Sequence, residues 1–299
     1  MRIDPNITPN ILADLQQSQV FLNTALQQVS TGLSVNNPSD NPTAAAEMVG
    51  NSIESADVDQ FTQNVSSALS TVQSASSVLS SVVTSLNSAV SAGIEGGNGT
   101  SSTANLQSLA SQVEGILTSV VNAANTSVSG SFLFGGTAST TPYTADASSP
   151  TGFTYNGNND TNSVAVGDQT SVQVNLPGSQ IFSSSSNNVI GALSSLVTAL
   201  QTGNTADIQT STNAVSSALN FVGQQQVFYG NAETQLNSQE TFLQQDTVSL
   251  TTQASSLIGV NEATAATDLS QAETDNSAAL AAVAKVLPNS LLNFLSPPQ

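Results

Sequence analysis

Ile208, Val215, Val222, Tyr229, Leu236, Leu243, Leu250 and Leu257 recur every seven residues, and all eight are apolar. A seven-residue apolar period draws one stripe along a helix, and that stripe needs a partner. No Pro interrupts the span, although Gly223 and Gly230 soften it. The spacing predicts a continuous helix of about fifty residues, ~75 Å long at a rise of ~1.5 Å per residue. Its companion positions carry Gln226, Glu233 and Glu240, so the stripe is narrow.

The same period recurs elsewhere. Thr8-Pro9 has the form of a helix start, a hydroxyl residue before Pro. The seam after it is Ile11, Leu15, Ser18, Leu22, Ala25 and Val29, and Gly32 with Asn36-Asn37-Pro38 predicts its end. A second helix is expected from about Thr43. From Val58 its seam runs Phe61, Val65, Ala68, Val72, Ala75, Leu79, Val82, Leu86 and Ala89, before the glycines of 93–99. A third carries Leu106, Leu109, Val113, Ile116, Val120 and Ala123. The last carries Ala265, Leu269, Ala272, Ala279, Val283 and Val286, with Pro288 expected to end it. Asn276 falls inside that seam, where one polar residue can fix register at a cost in stability.

Residues 131–187 differ. Phe132, Phe134, Tyr143, Phe153, Tyr155 and Phe182 place six of the thirteen aromatics there. Val164, Val166, Val172 and Val174 alternate with other residues, the period of a half-buried strand. Asn156-Gly157 and Pro177-Gly178 read as turns. The chain is therefore expected to be mainly α: a long antiparallel helical rod with coiled-coil termini and a small β-rich domain inserted in the middle. Pro38 and Pro42 separate the first helix from the second, which leaves the C-terminal heptad helix as its natural partner. The expected division is a terminal coiled-coil domain of 1–40 with 258–299, a helical rod domain of 41–130 with 188–257, and a β-rich outer domain of 131–187.

Composition narrows the function. Two cations, Arg2 and Lys285, stand against twenty carboxylates, for a net charge of −18. Such a chain cannot neutralise many phosphates, so no nucleic-acid partner is expected. Binding to anionic lipid is disfavoured for the same reason. No run approaches ~18 continuous apolar residues, so no membrane insertion is expected. The start of the chain lacks the apolar core of a secretory signal. The chain has no Cys and no His, which removes thiol nucleophiles and the commonest general base and metal ligand. Asn156 to Asp160 holds one carboxylate and lacks the spacing of a calcium loop, so it reads as a turn. No Lys-Ser/Thr follows the 93–99 glycines, which read as a helix stop. The only Lys lies on a terminal heptad helix, where it complements the helix C-terminus or pairs with a carboxylate. No catalytic residue, metal site or cofactor is expected.

Local segments in order along the chain resemble the bacterial flagellin superfamily. Leu26 to Ala46, LQQVSTGLSVNNPSDNPTAAA, is similar to the segment joining the family's first two helices. Pro38-Ser39-Asp40-Asn41-Pro42 resembles that segment in the family's hook–filament junction branch rather than in filament flagellin. ANTSVSGSFLFGG, Ala124 to Gly136, is similar to the entry to the family's outer domain. Phe153 to Phe182, ending in PGSQIF, and SLLNFL at Ser290–Leu295 resemble the junction branch again.

The resemblance implies an extracellular structural subunit of the flagellum, an adaptor ring between hook and filament assembled through its terminal helices. Filament flagellin is the alternative. Implied partners are further copies in the ring, the first hook-associated protein, flagellin, and an export chaperone with the type III export apparatus. Export would proceed without a cleaved signal peptide. The residues expected at the assembly interface are Ile11, Leu15, Leu22, Val29, Asp40, Leu269, Val283, Leu291, Leu292, Phe294 and Leu295. Asp40 has a second reading as the cap of the next helix. The last four are expected to follow Pro288 as an apolar tail beyond the final helix.

Overall fold

The structure, a computed structural model, describes the backbone of residues 7–185 and 187–295 and the side chains of residues 9–185 and 187–285. The described residues form α1 (Ile7–Thr31), α2 (Pro42–Gly96), α3 (Thr103–Ala124), α4 (Gly178–Ile181), α5 (Val189–Thr202), α6 (Thr205–Ile258) and α7 (Glu262–Leu295). Three two-stranded antiparallel sheets lie between α3 and α4 in the chain. The architecture is mainly helical, with long helices and a small mid-chain β region, as the periodicities predict. Two compact units result: a central unit of 58–245, and a terminal unit of 1–57 with 246–299.

The seven-residue stripe organises the central unit. Ile208, Val215, Val222, Tyr229, Leu236 and Leu243 on α6 are all buried, as are Val65, Val72, Leu79, Val82 and Leu86 on α2. Each large aliphatic side chain buried this way contributes ~1.5–3 kcal/mol. The Gln73 side-chain amide donates to the Glu233 carboxylate over 2.9 Å, and Gly93 lies against the Thr212 side chain. The α2 number rises from 73 to 93 as the α6 number falls from 233 to 212, so the helices run antiparallel. Gly93 permits the close approach, because a Cβ there would collide with the Thr212 hydroxyl. On length and composition α2 could cross a membrane. Its apolar stripe instead forms the core side of this unit.

Ser102 caps α3, its hydroxyl accepting the Asn105 N–H over 3.3 Å. The buried stripe of α3 is Leu109, Val113, Leu117, Val120 and Ala124, which differs from the predicted one: Ile116 and Ala123 are only half-buried. A straight helix drifts ~20° per heptad from a strict seven-residue repeat, so the inward position moves on by one. Here α3 packs against a short helix, α5. Asn188 opens α5 by accepting the Gly191 N–H over 2.8 Å, and Gly203 closes it at φ 73°, a left-handed conformation suited to glycine.

The β region is built from hairpins. β1 (Ser127–Val128) pairs with β2 (Ser131–Phe132), β3 (Tyr143–Ala145) with β4 (Phe153–Tyr155), and β5 (Ser163–Gly167) with β6 (Thr170–Gln173). Val166, Val172 and Val174 point into the core, and Val164 is half-buried. Pro177-Gly178, predicted as a turn between strands, opens α4 instead. Pro fixes its own φ and suits the residue ahead of a helix.

Around Gly178 the rings of Phe134 and Phe182 meet edge to face at 5.2 Å, and Tyr143 meets Phe182 at 6.2 Å. The Tyr143 hydroxyl donates to the Gly178 carbonyl over 2.9 Å, and the Tyr155 hydroxyl donates to the Phe134 carbonyl over 3.0 Å. A Cβ on Gly178 would sit 2.9 Å from the Phe134 carbonyl oxygen and 3.1 Å from both tyrosine rings. Gly178→Ala must therefore displace the ring cluster. The expected loss is about 1–3 kcal/mol of central-unit stability, read from the midpoint of thermal unfolding.

Candidate assembly surface

The terminal unit pairs α1 with α7. The two predicted seams face inward. Ala25, Ala265 and Ala272 are buried, and Ile11, Leu15, Ser18, Leu22, Leu269, Asn276, Ala279 and Val283 are half-buried. The chain leaving α1 and the chain entering α7 form an antiparallel bridge, Leu33 opposite Gly259. The Ser34 N–H donates to the Ile258 carbonyl over 2.7 Å, and the Val260 N–H to the Gly32 carbonyl over 3.0 Å. Also within this unit, the buried Asn51 amide donates to the Leu250 carbonyl over 3.1 Å. Ser18 Oγ and Asn276 Oδ1 are the two buried side-chain polar atoms without a partner among the described residues, one on each helix.

Three expectations need correction. Val29 does not end the α1 seam: it is 44 % exposed, and Gln28 turns inward in its place. The Gln28 amide donates to the Ser34 carbonyl over 3.1 Å, so the last turn serves the bridge segment rather than the coil. Asp40 does not cap the next helix. Its carboxylate accepts the backwards-lying N–H groups of Asn36 and Asn37 over 3.1 and 2.8 Å, closing the loop. Asn41, adjacent to Pro42, takes the cap position and accepts the Ala44 N–H over 3.1 Å. Pro288 does not end α7, which continues to Leu295. Proline's φ is helical, so its cost is the hydrogen bond to Ala284 that it cannot donate and the crowding of that carbonyl. Leu291, Leu292, Phe294 and Leu295 thus lie on the helix rather than beyond it. Their side chains, like that of Val286, fall outside the described residues.

The outward side of this unit was not foreseen from the seams. Leu12, Val20, Phe21, Leu26 and Val29 on α1, Val49 and Ile53 on α2, Val248 on α6 and Leu280 on α7 are all exposed. They are nine of the twelve large apolar residues exposed among the described ones; only Ile94, Val227 and Phe242 belong to the central unit. The signal was in the sequence, since a helix that is apolar beyond its seam needs cover on more than one side. Charge is uneven as well. α1 carries Asp14 alone, whereas α7 exposes Glu262, Asp268, Glu273 and Asp275. Among the described residues no cluster of three acidic, Cys or His side chains could hold a metal ion.

Residues 6–139 match the model of the bacterial flagellin N-terminal helical region. Over that region, just under half of the chain, it resembles the bacterial flagellin family. Its relatives are structural proteins rather than enzymes. No curated protein matches this sequence. Solved structures do share its fold. One, assigned as a flagellar hook-associated protein of Vibrio parahaemolyticus, is 20% identical and superposes with a TM-score of 0.68, covering 74% of this chain and 100% of that one. Bacillus cereus FlgL is 21% identical with a TM-score of 0.60, over 69% of this chain and 99% of that one. The flagellar junction protein FlgL from Legionella pneumophila is 16% identical with a TM-score of 0.60, over 71% and 100%. At these identities the likeness is one of fold.

Proposed function

We propose that this chain is an extracellular structural subunit of the bacterial flagellum, forming an adaptor ring between hook and filament. The observation that carries this is the fold shared with the Legionella junction protein over the whole of that chain and 71% of this one. The Pro38–Pro42 loop and the Ser290–Leu295 ending point the same way. Subunits join through the terminal unit, whose outward apolar residues are unusual for a soluble monomer. The first hook-associated protein lies on one side of the ring and flagellin on the other. The chain leaves the cell through the type III export apparatus with a chaperone and without a cleaved signal.

Within this role, 1–40 with 258–299 acts as the inner assembly domain, 41–130 with 188–257 as the helical rod, and 131–187 as the outer part. The apolar residues Leu291, Leu292, Phe294 and Leu295 belong to the same inner surface.

Deletion of the gene in its own organism tests the role. Cells should carry hooks without filaments and release unpolymerised flagellin into the medium, and the restored gene should return filaments. Filaments of normal length without the gene would refute the junction role. Hooks capped by their junction proteins but with no flagellin made would mark the chain as filament flagellin instead.

A further inference from the structure

We infer that Asn98, in the turn between α2 and α3, is a site of spontaneous deamidation, the asparagine that this chain converts first to aspartate and isoaspartate. The sequence holds two Asn-Gly pairs, Asn98-Gly99 and Asn156-Gly157. Glycine after asparagine opens this route, because it has no side chain to hinder attack by its own backbone nitrogen. The Gly99 nitrogen gives up its proton and bonds to the side-chain carbonyl carbon of Asn98. The carboxamide C–N bond breaks, ammonia leaves, and a five-membered succinimide remains. Water then opens the ring at one of its two carbonyls. One opening leaves aspartate, and the other leaves isoaspartate, with the backbone rerouted through the former side chain.

The fold leaves one pair free and holds the other. Asn98, Gly99 and Thr100 are all exposed. Among the described residues, neither the Asn98 carboxamide nor the Gly99 N–H has a hydrogen-bond partner. A Cβ placed on Gly99 would meet nothing within 4 Å. Attack requires the side chain to swing over the following nitrogen, and nothing here obstructs it. Asn156 is tied instead. Its carboxamide donates to the Thr144 hydroxyl over 2.8 Å and to the Thr154 carbonyl over 3.5 Å. Its backbone N–H donates to the Pro142 carbonyl over 2.7 Å, and its carbonyl accepts the Thr140 hydroxyl over 3.1 Å. Gly157 is wedged in place, since a Cβ there would sit 2.8 Å from the Gly135 carbonyl oxygen. The pairs Asn51-Ser52, Asn87-Ser88, Asn237-Ser238 and Asn276-Ser277 lie within helices, where the following N–H is engaged in the helical ladder.

The turn hangs on Glu95, in the last turn of α2. The Glu95 carbonyl accepts the Asn98 N–H over 3.4 Å and the Ser101 hydroxyl over 3.1 Å. Its carboxylate accepts the Asn105 amide over 3.3 Å. Deamidation adds a negative charge to a chain already at −18. That charge falls close to the Glu95 carboxylate and just past the C-terminal end of α2, where the helix dipole disfavours it. No cation lies between positions 2 and 285 to offset it. Isoaspartate also lengthens the backbone by one carbon and so strains the contacts that Glu95 makes. The corner between α2 and α3 is therefore where an ageing copy of this chain changes first.

The test incubates the purified full chain at mildly alkaline pH, folded and in urea. Cleavage at Asp and Glu followed by tandem mass spectrometry locates the product, because trypsin has no site between positions 2 and 285. In the folded chain Asn98 should convert at least about tenfold faster than Asn156, whose carboxamide must first break its hydrogen bonds. The Asn98 rate should rise with pH, since the attacking nitrogen has to lose its proton. In urea the two sites should come within about threefold of one another, both then being Asn-Gly in an open chain. Thr144→Val removes one bond from the Asn156 carboxamide at an exposed strand position. It should raise conversion at Asn156 by about two- to tenfold and leave Asn98 unchanged. Circular dichroism checks that this variant keeps its fold. The inference is overturned if Asn156 converts as fast as Asn98 in the folded chain, if Asn98 reacts only in urea, if the difference between the sites persists in urea, or if Thr144→Val leaves Asn156 as slow as before.

Discussion

Leu243→Asp should lower the unfolding free energy of the central unit by about 3–5 kcal/mol, among the largest effects of any single substitution. Leu243 is 2 % exposed and sits on the buried stripe of α6. Aspartate there removes an apolar side chain from the core and leaves a carboxylate without water. The chain cannot compensate with a counter-charge, since its cations are at positions 2 and 285. The comparison is Gln245→Asp, two residues on and exposed. That variant adds the same charge to the same helix and should change stability by no more than about 0.5 kcal/mol. Urea unfolding followed by circular dichroism measures both. Equal midpoints would mean that the seven-residue stripe is not what holds α6 in place.

A steep loss of stability above pH 10 is expected from the tyrosines. Burial pushes the Tyr143 and Tyr229 hydroxyls well above their ordinary value of 10.0, and Tyr155 upward in the same way. Hydrogen bonds oppose the shift without cancelling it: Tyr143 contacts Ser183, and Tyr229 accepts the Leu176 N–H over 3.2 Å. The sign follows from proton counting. Above pH 10 the unfolded chain has released its phenolic protons while the folded chain keeps them, so rising pH favours unfolding. The stability these groups contribute is fully present below pH 10 and is lost as pH climbs towards the folded values. Each strongly shifted tyrosine adds a slope of about 1.4 kcal/mol per pH unit. With no Cys and one Lys in the chain, few other groups titrate there. Chemical unfolding at a series of pH values from about 9 to about 12 measures the slope. Tyr143→Phe should flatten it by one tyrosine's share, and an unchanged slope in that variant would contradict the assignment.

The long helices were legible because their information is local and repeated. Eight apolar residues in register from Ile208 to Leu257 leave little choice, and seven of them are buried, with Leu257 half-buried. The pairing of α1 with α7 followed by elimination. What escaped the sequence was set by geometry. The inward face of α3 turned by one residue, from Ile116 to Leu117, because α3 meets a short helix and is not held to a long coil. Asp40 and Asn41 are adjacent and chemically alike as caps. Which one caps α2 depends on where Pro42 starts it. Pro288 looked like a stop, yet one lost hydrogen bond does not by itself end a helix, and α7 continues to Leu295. The outward residues of α1 lie off the seam that the seven-residue period marks. A heptad names what two helices bury together and is silent about what a third body covers.

A single ring at the boundary of hook and filament, as proposed, fixes where a label on this chain must lie. Because the chain has no Cys, Thr141→Cys, exposed in the loop before β3, can be labelled uniquely with maleimide-gold on intact flagella. Electron microscopy then counts where the label lies. A single band at the hook-proximal end of each filament is the predicted result, and label distributed along the filament would contradict it.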